Sequence, residues 1–131
     1  MTITASRKMM IFFLAFLFIA VSCATTGKRS ELEEMVQPHR SYEACFELKK
    51  GEALEYSFTS SRPLDFNIHY HAIDGLHYPV NEKNIRSRKG TLVCDEQKYY
   101  TEDQEAFCMM WENHEDAFIS LKLQYGITGR E

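Results

Sequence analysis

The 131-residue chain contains no apolar run long enough to cross a bilayer as a helix. Its N-terminal run, IFFLAFLFIAV, has 11 residues, against the roughly 20 that a span requires. It has no excess of basic charge: 15 Lys and Arg stand against 19 Asp and Glu, a balance that argues against nucleic acid or an anionic headgroup surface as partner. No serine sits in a nucleophile elbow and no glycine-rich loop opens a helix, so the usual hydrolase and phosphate-binding signatures are missing. No CxxC pair or EF-hand spacing offers a ready zinc or calcium site. The chain shows no internal repeat and no low-complexity segment. What is present is 44% hydrophobic and 26% charged, the composition of one small globular domain.

The apolar run has a clear use. Arg7 and Lys8 precede it and SCATTG follows it, which is the layout of a secretory signal peptide over residues 1–22. The tetrapeptide AVSC at 20–23 resembles the bacterial lipobox, with Ala20 in place of the usual leucine. The resemblance implies that Cys23 receives a diacylglycerol thioether and becomes the new N-terminus. Two or three acyl chains then hold the protein on the membrane, where one alone binds only marginally. Ala24 in place of aspartate after that cysteine implies the outer membrane in Gram-negative bacteria, facing the periplasm. Simple cleavage near Ser22, with release into the periplasm, is the alternative. Loss of Arg7 and Lys8 leaves 13 basic against 19 acidic residues, a net charge of −6.

Cys45, Cys94 and Cys108 remain in an oxidising compartment where disulfides form. Three thiols give one pair and one leftover, and spacing alone leaves all three pairings open. A Cys45–Cys108 bond would tie the first strand of the domain to one of its last and contribute about 4 kcal/mol in the chain-entropy picture.

Residues 23–40 read as a polar tether punctuated by Gly27 and Pro38, with a Ser30/Glu33 capping-box pattern and Leu32, Met35 and Val36 at helical spacing. From Tyr42 the period becomes two. Ala44, Phe46 and Leu48 share a face, a turn falls at Lys50 and Gly51, and Leu54, Tyr56 and Phe58 share a face again, predicting two antiparallel neighbours. Pro63 opens a strand in which Leu64, Phe66, Ile68 and Tyr70 alternate with Asp65, Asn67, His69 and His71. A turn at Asp74 and Gly75 leads to LHYPV; TLVC, AFCMMWEN and an alternating run from Ala117 to Tyr125 follow. Seven or eight short strands predict an all-β antiparallel sandwich over residues 41–131.

Cys45 before an aromatic, the PLDFNI strand, Cys108 shortly before Trp111 and Asn113, and the alternating last strand together resemble the GOLD-type β-sandwich. That domain occurs in the lumenal parts of the eukaryotic cargo receptors of the secretory pathway, and small bacterial envelope proteins share the pattern. The resemblance covers about residues 44–127. It implies a disulfide between Cys45 and Cys108, with Cys94 left as a thiol, and a binding or interaction role. The sequence shows none of those receptors' C-terminal membrane helix, coiled coil or sorting tail, so cargo selection is not carried over.

One stretch could change the reading. DFNIHYHAIDGLHY places His69, His71 and His77 within nine positions. His69 and His71 share a strand face and form a workable half of a copper or zinc site, with His77, Cys94, Met109 or Met110 as further ligands. The plainer reading is a polar sheet face that carries histidine without any ligand, since no third ligand lies at a diagnostic spacing. Glu102, Asp103 and Glu105 read as a solvated loop, and Met109, Met110 and Trp111 as core and sheet surface. The expectation is therefore a lipid-anchored, non-catalytic binding or accessory module with no resident cofactor, meeting an envelope protein partner. A periplasmic copper or zinc protein using His69 and His71 is the alternative.

Overall fold

The computed structural model describes residues 28–95 and 104–129. The expected signal segment 1–22, Cys23 and the start of the expected tether lie outside the described residues, as do Glu102 and Asp103. Among the described residues there are six strands and no helix: β1 (Ser30–Val36), β2 (Ser41–Lys49), β3 (Ala53–Ala72), β4 (Gly75–Val93), β5 (Gln104–Glu112) and β6 (Ile119–Thr128). They form one antiparallel sheet of order β1-β6-β3-β5-β2, with β4 on the other edge of β3, curled into a half-barrel.

The long strand β3 is the spine. Its first half, residues 53–60, pairs with β6, and residues 65–69 pair with β5. The hairpin partner β4 runs along the opposite edge of both halves. Register slips between Thr59 and Leu64, where Ser60 Oγ donates to the carbonyls of Arg62 and Arg86. Pro63 lies in this bend and has no N–H to give to a ladder. Bending the spine brings its two flanks face to face, so Phe46 of β2 meets Tyr125 of β6 at 4.7 Å between ring centres. The core fills the inside of the curl: Leu54, Phe58, Phe66, Ile68, Phe107, Met109, Trp111, Leu121 and Leu123 are all buried.

Three expectations are corrected. First, where seven or eight strands of a sandwich are expected, the described residues form six strands of one curled sheet. The runs either side of residues 60–63 are one bent strand, and LHYPV and TLVC belong to one continuous β4. Secondly, β2 and β3 are consecutive but not neighbours. Both edges of β3 are taken by β4, β5 and β6, and β2 pairs with β5 instead. Thirdly, Ser30–Val36 is not tether with a helical turn but an edge strand on β6. One or two isolated turns of helix are unstable, whereas pairing satisfies the backbone and puts Glu33 opposite Lys122 (2.8 Å) and Glu31 opposite Gln124 (2.6 Å).

The turns fall where the sequence puts them. Gly51 takes φ 84° between β2 and β3, and Gly75 takes φ 128° in the β3–β4 hairpin, conformations that cost glycine least.

Candidate functional site

Directly opposed residues on antiparallel strands share a face, so the ladder of β2, β5 and β3 builds the outer surface in rows. One row is Cys45, Cys108 and His69; the next is Glu43, Met110 and Asn67; a third holds Glu112 and Asp65. The first row carries the disulfide, Cys45–Cys108, between directly opposed positions. This is the pairing that the resemblance implied. Cys94 stays outside it, buried, with its thiol donating to the Leu48 carbonyl at 3.2 Å.

The disulfide changes the surroundings of His69. The expected solvated strand face is covered here: Asn67 and His69 are each only 5% exposed. His69 Nδ1 lies 2.8 Å from Asn67 Oδ1 and Nε2 lies 3.1 Å from Glu43 Oε1. His71 and Tyr78 pack their rings against it at 5.6 and 5.8 Å. Both nitrogens of His69 therefore have partners, and a metal there must displace one. His71 stands beside it, exposed. His77 goes elsewhere. A register shift between Ile68 and Tyr70 puts it opposite Tyr70, where its ring stacks at 5.1 Å and its Nε2 meets Asp74 Oδ1 at 2.6 Å. That hydrogen bond holds the Asp74 carboxyl below its ordinary value. Among the described residues, His69, His71 and His77 form no group with ligand atoms within 4.8 Å of one another.

Two features were not legible in the sequence. The first is the free end of the β3–β4 hairpin. β5 leaves β3 after His69, so among the described residues the last of β3 and the first of β4 pair only with each other. This end presents Ile73, 96% exposed, with Leu76 and Tyr78 about half exposed beside it. An apolar side chain that stands wholly in water at a turn has no packing role.

The second is a charged cluster at the β4 bulge. Asp65 Oδ1 accepts the backbone N–H of Asn84 at 2.9 Å, and Asp65 Oδ2 lies 3.0 Å from both Lys83 Nζ and His114 Nε2. Lys83 also sits 3.9 Å from Glu112 Oε2. Burial pushes the Asp65 carboxyl up, but Asn84, Lys83 and His114 together outweigh it and hold it below its ordinary value. Asn84 adopts φ 56° in the bulge, a conformation asparagine tolerates. Its members come from β3, β4, β5 and the loop after β5, so only the register that joins those strands could have revealed the group.

A shallow polar groove of about 260 Å³ runs over the first half of β3, lined by Ser57, Lys89, Thr91 and Gln124 among others. No histidine or cysteine lines it.

The described residues form an all-β antiparallel module. No family model matches the chain, the GOLD type included, and no curated protein matches it. Its fold is similar to that of PliG from Aeromonas hydrophila, a periplasmic inhibitor of g-type lysozyme. The TM-score is 0.56 at 9% identity, over 82% of this chain and 93% of that one. The likeness is one of architecture.

Proposed function

We propose that the protein is a non-catalytic binding module of the periplasm, held at the outer membrane by acyl chains on Cys23, that grips a protein partner with the free end of its β3–β4 hairpin. The observation that carries this reading is the fully exposed Ile73 on a two-stranded projection, flanked by Leu76 and Tyr78. An apolar knob with an aromatic beside it is what a partner's recess desolvates at the centre of an interface. Support for the choice of partner class comes from the fold: PliG, which shares it, is a lysozyme inhibitor. A lysozyme of the g type is therefore the first partner to test.

The experiment measures g-type lysozyme activity and binding with the wild-type protein and with Ile73→Asp. The wild type is expected to bind and inhibit, and the substitution to weaken binding by roughly 30-fold or more, the loss of one central anchor of about 2 kcal/mol. A photo-crosslinker at position 73 in cells extends the test to other envelope proteins. Absence of inhibition together with no protein crosslinked from position 73 overturns the reading. Mass spectrometry of the envelope protein tests the anchor, by a diacylglyceryl adduct on Cys23.

A further inference from the structure

We propose that Asp65, Glu112 and His114 form a Zn²⁺ site whose place is held, in the metal-free protein, by the Lys83 ammonium. The ligand atoms of these three side chains lie within 4.8 Å of one another. One imidazole nitrogen and two carboxylates are a zinc donor set, with a fourth position left for water.

The register explains why they meet. Asp65 and Glu112 are directly opposed on β3 and β5, a position in which two like charges repel. Something positive must stand between them. His114, two residues beyond Glu112, approaches Asp65 Oδ2 from the loop, and Lys83 reaches the same oxygen from the bulge. The Asn84 N–H holds Asp65 Oδ1, leaving Oδ2 turned into the cluster. An outer hydrogen bond that fixes a ligand's orientation is the usual support of a metal site.

The exposure of the four groups is graded to suit an exchange of cations. Asp65 is 16% exposed and anchored, Glu112 is 32% exposed, and Lys83 and His114 are 63% and 67% exposed. Lys83 can swing into solvent, while His114 and Glu112 close the remaining distance by side-chain rotation. A divalent ion brings twice the charge of the ammonium to the same two carboxylates. It also coordinates His114 Nε2 once the proton that this nitrogen turns toward Asp65 Oδ2 is released or shifted to Nδ1, a bond Lys83 cannot make.

The competition gives the test its sign. Zinc binding is measured by calorimetry at pH 7 on the chelator-stripped full chain, with circular dichroism as a check of folding. One Zn²⁺ per chain is expected. His114→Ala is expected to weaken it by about tenfold or more, the loss of one of three ligands. Lys83→Met is expected to tighten it, because the resident cation is gone. His71→Ala, in the hairpin beyond the three rows, is expected to bind as the wild type does. Three results overturn the inference: no uptake by both wild type and Lys83→Met, undiminished uptake by folded His114→Ala, or uptake lost with His71→Ala. None of them bears on the hairpin knob, so the two proposals fail separately.

Discussion

Asn113 shows how much one buried polar side chain can organise. It is 1% exposed, and its Nδ2 donates towards three carbonyls, Val36 and Gln37 at 3.1 Å and Ala117 at 2.8 Å. Its Oδ1 accepts the N–H of Glu115, and its own backbone N–H bonds the Arg40 carbonyl. One amide thus fastens the β1–β2 turn to the loop between β5 and β6. Asn113→Asp replaces the donor by an acceptor facing three acceptors. It should cost about 3 kcal/mol in urea unfolding, more than Asn113→Ala, because buried carbonyls and a buried charge are both left without partners. Equal losses for the two variants would contradict this account. The same logic marks what sequence reading reaches at this scale. The alternation of Leu64, Phe66, Ile68 and Tyr70 correctly assigns the inward face of β3. It places His69 on the other face but neither buries it nor pairs it with the exposed Glu43, because that depends on which strand lies alongside. Periodicity reports faces; partners come from register.

Register is also where strands acquire their roles. The sequence divides β3 and β4 into shorter pieces, because Pro63 reads as the start of a new strand and LHYPV and TLVC as separate strands. The structure absorbs both breaks, the first as a bend and the second as the Asn84 bulge, and uses them to curl the sheet and to aim Asp65. Bulges raise the local twist, so the irregularities that hid two long strands are what make the half-barrel. The disulfide acts on elements too. It joins β2 to β5 across a sequence separation of 63 residues, and nine consecutive residue pairs already hold those strands together. Its stabilisation therefore acts on the unfolded chain. Cys45→Ser with Cys108→Ser should keep the fold and lower the unfolding free energy by about 2–4 kcal/mol, read from denaturant midpoints against the wild type. A double variant with unchanged stability would show that the unfolded chain is already compact around this pair.

Across the whole molecule, electrostatics sets the conditions under which the fold stands. The chain carries 15 basic against 19 acidic residues, yet Asp65 and Asp74 both have carboxyls held below their ordinary values by specific partners. Such a group binds fewer protons folded than unfolded, so its contribution is complete above its unfolded value, about 4, and is lost as pH falls through the lower folded value. Lys83 and Lys122 are the mirror case: hydrogen bonds to Asp65 and Glu33 raise them. Their contribution is complete below about 10.4 and fades as pH climbs through the raised value. Stability should therefore be level, as far as these four groups set it, from about pH 5 to about pH 9 and fall on either side. Asp65 is the group to isolate, because its side chain is shielded and joins three strands and a loop. In chelator-containing buffer, Asp65→Asn should lower the urea midpoint at pH 7 and flatten its decline below pH 4. Asp74→Asn, at an exposed turn, should leave the midpoint at pH 7 nearly unchanged. If Asp65→Asn keeps the full acid slope, carboxylates other than this cluster govern acid unfolding. The bulge would then be a feature of local geometry with no hold on the stability of the sheet.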